Sequence, residues 1–110
     1  MADEKNLELA MSLIANGGDA RSQAMLAIKA AKSGDFEKSL LHLDQAKRSL
    51  AVAHKHQTDL LVAEANDQAG ELTLLMIHAQ DHLMNAMTVN DLAIEMVELY
   101  QTISTKSQNN

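Results

Sequence analysis

The chain has 110 residues, a formal charge of −6, and no Cys, Pro or Trp. That length supports one domain with a real core. The absent cysteines exclude disulfides, thiolate-ligated zinc and a thiol nucleophile, and the acidic balance argues against nucleic acid, whose phosphates require clustered Lys and Arg. Basic protein partners remain open to an acidic surface. Seven Met, one Phe and one Tyr stand among many Ala and Leu, a composition that favours helices. The N-terminal Met1-Ala-Asp-Glu-Lys5 has no apolar signal core, and no apolar run approaches the roughly 20 residues of a membrane span. A reducing cytoplasm is the expected setting.

The first helix is expected from about Glu4 to Lys32. Leu7, Met11 and Ile14 share one face, and later Ala24, Ala27, Ile28 and Ala31 do. Asn16-Gly17-Gly18-Asp19 interrupts it. Each glycine weakens a helix by roughly 1 kcal/mol relative to Ala, so a kink, bulge or short break is expected, with Asp19 capping the second half. Ser33-Gly34-Asp35 is a stop and restart: Gly34 suits the left-handed position after a helix, and Asp35 suits the next N-cap. The second helix runs to about Asn66, with Phe36, Leu40, Leu43, Ala46, Leu50, Ala53, Gln57 and Leu61 as its inner stripe. Asn66–Gly70 is the second turn. From Glu71 onward no Gly or Pro intervenes, so a long third helix follows. Residues 1–103 form one domain, and the polar tail 104–110 is expected to be frayed or disordered. Short connections between three long helices imply an all-α, antiparallel up-down-up bundle. One helix pair resembles a tetratricopeptide-like hairpin, but no second copy follows at a fixed period.

The third helix carries two stripes. At about 100° per residue, Leu72, Leu75, Met76, Ala79, Leu83, Ala86, Ala93, Ile94, Val97 and Tyr100 gather on one face, the ordinary core stripe. Leu74, His78, Asp81, Asn85, Leu92, Met96, Leu99 and Ile103 form another, with His82 at its edge. A helix in a three-helix monomer needs one apolar stripe. The second therefore predicts a subunit interface with a polar patch set into it.

Within that patch, His78 reads either as a satisfied interface histidine or as a nucleophile. A neutral imidazole nitrogen can attack a phosphoryl group, and the phosphoramidate passes it on readily. His78 and His82 also have the i, i+4 spacing of a metal pair, with Asp81 as a third ligand, but without a Glu in a His-Glu-x-x-His pattern the zinc signal is weak. A carboxylate on an apolar stripe is costly unless paired or metal-bound. If three copies meet at an axis, three Asp81 side chains can share one hard cation. Asn85 reads as a buried polar specificity device. His82 can hydrogen-bond Asp81 or help stabilise a phosphoryl on His78. Gln80 lies off both stripes, where solvation is the plain reading. On the second helix His54 and Gln57 lie inward as a polar pair linking helices, and His42 and His56 fall on the outer side. Lys47-Arg48 and Glu95–Glu98 read as solvent faces.

Four segments in register carry a resemblance. Gly18-Asp19-Ala-Arg21-Ser22, Ser33-Gly34-Asp35-Phe36, Ala53-His54-x-x-Gln57-Thr58 and His78-Ala-Gln-Asp-His82-Leu-Met84 resemble the signatures of the lactose/cellobiose-specific EIIA components of the bacterial phosphoenolpyruvate-dependent sugar phosphotransferase system. The resemblance implies a homotrimeric phosphoryl carrier, a phosphotransferase component rather than a stand-alone enzyme. His78 would be phosphorylated, Gln80 and His82 would stabilise the phosphoryl, and Asp81 would bind a divalent cation, magnesium, at the trimer axis. No organic cofactor is implied. The phosphocarrier HPr would donate the phosphoryl, a cysteine of the cognate EIIB would receive it, and membrane contact would be indirect, through EIIC, during uptake of a β-linked disaccharide of the cellobiose, lactose or chitobiose class. The departures are the double glycine at Gly17 and the polar tail, neither expected to touch the site. The competing readings are a non-enzymatic helical assembly module, which predicts a trimer without phosphoryl acceptance, and a metal-dependent hydrolase, for which there are too few ligands and no clear general base.

Overall fold

The computed structural model describes residues 2–68 and 70–108. It contains α1 (Ala2–Lys32), α2 (Phe36–Ala65) and α3 (Leu74–Gln108), laid side by side in a rod of 62 × 19 × 19 Å. Three core layers give the directions. Ala10 and Leu13 of α1 meet Ala53 and Leu60 of α2 and Ala79 and Leu83 of α3. Ala20, Ala46 and Ala86 form the middle layer, and Ala27, Ala31 and Val97 the last, with Phe36, Leu43 and Tyr100 against them. Residue numbers rise together in α1 and α3 and fall in α2, so the bundle is up-down-up, as its short connections require. The central helix is α1: it packs along both others, while α2 and α3 touch each other far less.

The first turn forms as its residues dictate. Gly34 takes φ +85, a conformation that costs a residue with Cβ roughly 1–2 kcal/mol. Its N–H reaches Ala31 O at 3.0 Å and that of Asp35 reaches Ala30 O at 2.9 Å, closing the end of α1. The Asp35 carboxylate accepts from Lys38 N at 3.1 Å and caps α2. At the second turn Asp67 occupies the positive-φ position, and Gln68 N donates to Ala63 O at 2.7 Å. Ala69, within the turn expected at Asn66–Gly70, lies outside the described residues. Rather than at Glu71, α3 begins at Leu74, because the Thr73 hydroxyl accepts from Met76 N at 3.1 Å and sets the N-terminus there.

Four expectations are corrected. The break at Asn16–Asp19 is absent: α1 runs through it, with Gly17 buried against α3. Asp19 caps nothing and instead accepts the Ser49 hydroxyl of α2 at 2.5 Å, with Gln45 and Gln23 near it at 3.4 Å. The inner face of α2 keeps Ala46 and Ala53 of the expected stripe, with Phe36, Leu43 and Leu50 packed beside them, but is turned away from Leu40 and Leu61. Ser39, Ala46, Ser49, Ala53 and Leu60 are buried, whereas Leu40 and Leu61 are 54% and 58% exposed, because α2 packs mainly on α1 and only lightly on α3, rather than on the middle of a symmetrical bundle. For the same reason His42 and His56 are not simply solvated: His42 Nδ1 donates to Gln23 Oε1 at 2.7 Å, and His56 Nδ1 meets the Ser12 hydroxyl. Finally, the tail boundary at 103 does not end the helix. Ser104–Gln108 continue α3, since no Gly or Pro stops it and Thr105 hydrogen-bonds back to Gln101 O; Asn109 and Asn110 lie outside the described residues.

On α3 the expected core stripe holds at Ala79, Leu83, Ala86, Ala93 and Val97, and Asn90 joins it. Leu72, placed on that stripe, precedes the helix and is 79% exposed. Ser39 is buried without cost because its hydroxyl donates to Ala27 O of α1 at 2.8 Å.

The Ser49 hydroxyl holds the Asp19 carboxyl below its ordinary value, against the opposing effect of partial burial. The folded state therefore binds this proton more weakly than the unfolded one. The resulting stability is present above the unfolded value of about 3.9 and is lost as pH falls through the folded one. In urea denaturation Asp19→Asn is expected to cost about 1 kcal/mol at neutral pH, since charged hydrogen bonds are the stronger kind. The difference from wild type should vanish in acid below the carboxylate range.

Candidate phosphoryl-transfer site

The first turns of α3 turn His78 outward and leave His82 half-buried one turn later. Their Nε2 atoms are 3.0 Å apart, and the rings meet edge to face with centroids 4.5 Å apart and planes at 81°. One N–H lies between the two nitrogens, so one ring donates and the other holds a lone pair there. A ring poised in this way can keep an unprotonated nitrogen for a phosphoryl group beside an N–H able to donate to its oxygens.

On the flank of His82, Asp81 and Asn85 line an open cavity of about 310 Å³ together with Gly17, Arg21 and Val89. An ideal Cβ at Gly17 would stand 3.4 Å from the carbonyl carbon and oxygen of His82 and from Leu83 Cα. Gly17 thus touches the site after all. A glycine here lets α1 lie against the α3 backbone where the histidines leave it.

Gln80 turns towards α2, where its Oε1 accepts from Gln57 Nε2 at 2.8 Å. Gln57 therefore links two helices as expected, but with Gln80 as partner instead of the exposed His54. The second stripe is open in the single chain: Leu74 is 82% exposed, and Leu92, Met96, Leu99 and Ile103 are exposed beside His78, Asp81 and Asn85. Among the described residues no three His, Cys, Asp or Glu side chains of one chain gather to hold a metal, and no helix is long and apolar enough to cross a membrane.

A family model described as "PTS system, Lactose/Cellobiose specific IIA subunit" matches residues 8–101. The chain belongs to this family. It is 50% identical over 102 residues to the lichenan-specific phosphotransferase enzyme IIA component of Bacillus subtilis (strain 168), covering 93% of each chain. With the N,N'-diacetylchitobiose-specific EIIA component of Escherichia coli (strain K12) it shares 41% over 96 residues, 87% of this chain and 83% of the other. The crystal structure of the cellobiose-specific enzyme IIA from Bacillus anthracis superposes with a TM-score of 0.88 at 42% identity, covering 92% and 93% of the two chains. The IIA(Chitobiose) structure solved in complex with HPr, from Escherichia coli, gives 0.77 at 38% identity, covering 90% and 96%. The chain is accordingly a IIA component of the lactose, cellobiose and chitobiose class, and so a phosphotransfer protein of the sugar phosphotransferase system.

In this IIA chain, sequence reasoning placed His78, His82, Asp81 and Asn85 together, and they are neighbours. It missed Gly17 and Arg21, which α1 brings to the same cavity. Their one-turn spacing was visible, but only the parallel packing of α1 on α3 shows what they face.

Gly17 and Gly18 should behave oppositely. A Cβ at Gly18 meets nothing within 4 Å, so Gly18→Ala is expected to stabilise by up to about 1 kcal/mol through helix propensity. Gly17→Leu should destabilise by about 2 kcal/mol, because the backbone of α3 cannot yield as a side chain would. Urea denaturation of both variants measures this, and equal effects would remove the close contact at His82.

Proposed function

We propose that this chain carries a phosphoryl group on Nε2 of His78 between HPr and the cognate EIIB. The observation that carries this reading is the exposed His78 ring, its Nε2 set 3.0 Å from that of His82 on a helix face open to partners. The Nε2 lone pair of His78 forms the new P–N bond. The donor nitrogen departs with the electrons of the broken one, and its ring, protonated at the other nitrogen, leaves neutral. Such transfer is mostly positioning and charge stabilisation. As the phosphoryl arrives, the His82 N–H exchanges its imidazole partner for a phosphoryl oxygen. Gln80 joins it if the meeting of subunits draws it from Gln57. In the onward step an EIIB thiolate sulfur bonds to phosphorus and the His78 nitrogen leaves. The sugar is then phosphorylated as EIIC admits it.

HPr as donor is supported by the similar IIA(Chitobiose) protein, solved in complex with HPr. A sugar of the β-linked disaccharide class is supported by relatives named for lichenan, N,N'-diacetylchitobiose and cellobiose. A cytoplasmic location follows from these partners. The exposed Leu74–Ile103 stripe supports a homotrimer built through α3, since several large apolar groups in a row are otherwise left in water. In that trimer three Asp81 carboxylates converge. A single chain offers one carboxylate on this stripe, and among the described residues no three metal-ligating side chains of one chain gather, which fits a hard cation such as magnesium shared across the axis and not a site within one chain. The ion would supply neutralisation of like charges at the interface.

Incubation with phosphoenolpyruvate, enzyme I and HPr should add one acid-labile phosphoryl to the wild-type chain by intact mass, and none to His78→Gln. A folded wild-type trimer that takes up nothing would favour the non-enzymatic assembly module. Asp81→Leu should remain trimeric without added metal, because it removes mutual repulsion; sedimentation as a monomer would count against an axial Asp81.

A further inference from the structure

Phosphorylation would place a doubly charged group in the acidic part of the molecule. Between residues 52 and 88 the chain carries Lys55 alone against Asp59, Glu64, Asp67, Glu71 and Asp81. Histidine and amide donors can hydrogen-bond a phosphoryl, but none is a permanent cation. The cavity beside His82 has one, supplied by a different helix. Arg21 lines it with Asp81, His82 and Asn85.

Three features fix that placement. Gly17, one turn before Arg21, lies against the backbone of His82 and Leu83, so α1 has little freedom to move Arg21 away. Helical side chains lean towards their own N-terminus, and α1 runs parallel to α3, so the Arg21 stem leans back towards the level of His82. Arg21 and Asp81 share the cavity yet form no ion pair: among the described residues the one ion pair is Arg48–Asp44, on α2. Arg21 is therefore exposed and uncommitted, while His82 connects its cavity to His78 through the 3.0 Å contact.

We propose that the Arg21 guanidinium is the counter-charge of the phosphorylated state, reaching from the cavity it shares with His82 towards phosphoryl oxygens held on His78, the neighbour of His82. It rests on the reading of His78 as phosphoryl acceptor and names a residue for that reaction outside α3. Guanidinium suits the role because it is always charged and presents paired N–H donors to phosphoryl oxygens. Arg21 is solvent-exposed, so its effect is far below that of a buried arginine.

The test uses full-length Arg21→Gln, Arg21→Lys and Arg21→Met beside wild type, with phosphorylated HPr as donor. Uptake rate and the equilibrium phosphorylated fraction are read by intact mass, and assembly by sedimentation. Arg21→Gln and Arg21→Met should assemble normally, take up phosphoryl about tenfold more slowly and reach a lower phosphorylated fraction; Arg21→Lys should recover part of both. The equilibrium fraction matters because a residue that merely shapes the fold would not move it. Wild-type rate and end-point in Arg21→Gln would overturn the proposal while leaving His78 as acceptor. Failure of both neutral variants to assemble would assign Arg21 to the subunit seam and also overturn it. No uptake by wild type would overturn the His78 reading itself.

Discussion

Where α1 lies on α3, the contact is made by backbone and by methyl groups. Ala10, Ala20, Ala24, Ala27 and Ala31 on one helix, and Ala79, Ala86 and Ala93 on the other, are all essentially buried, and Gly17 sits directly against the chain at His82 and Leu83. Small residues let helices approach to the short end of the usual packing distance, where many weak dispersion contacts accumulate. With Leu13, Leu83 and Val97 as the largest fully buried hydrophobic side chains, few large groups fill the core. Shape agreement along the seam therefore carries much of the specificity. Of the two apparent helix-breakers in α1, Gly17 packs at this seam, whereas a Cβ at Gly18 would meet nothing within 4 Å.

The same contact organises the α1–α2 side and the reactive face. Held centrally, α1 receives α2 through polar as well as apolar pairs: Asp19 with Ser49, Gln23 with His42, and Ser12 with His56. Each of these aligns the register of two helices that offer one another mostly alanine and serine. On the opposite side, packing only one face of α3 leaves its second stripe in water, with the histidine pair at its edge. On the proposed function, the reactive nitrogen must meet two successive protein partners. An imidazole on a rigid, exposed helix beside an unfilled apolar surface meets that requirement better than a deep pocket would.

Polar groups in this region are divided between helices in a way that keeps each orientated. Gln57 restrains Gln80, His82 restrains His78, and Gly17 restrains the backbone beneath His82. Arg21 and Asp81, by contrast, remain unpaired with one another across a cavity.

Much of this was legible in the residues. The absence of Pro, the Gly34-Asp35 restart and the apolar periodicity determine three helices, because caps and helical period are local properties. Two stripes on α3 mark a face that one chain leaves exposed, and the histidine motif within it marks the candidate site. Tertiary structure alone decided that α1 is central. That turned Leu40 and Leu61 outward, drew His42 and His56 to α1, and joined Asp19 to Ser49 in place of a cap. It also brought Gly17 and Arg21 to His82 across a separation in sequence that no periodicity spans. The reason is physical: a helix's own pattern states which faces are apolar, but the depth of contact between two faces depends on what both present, and here alanines line both sides and Gly17 lies against the backbone of His82 and Leu83.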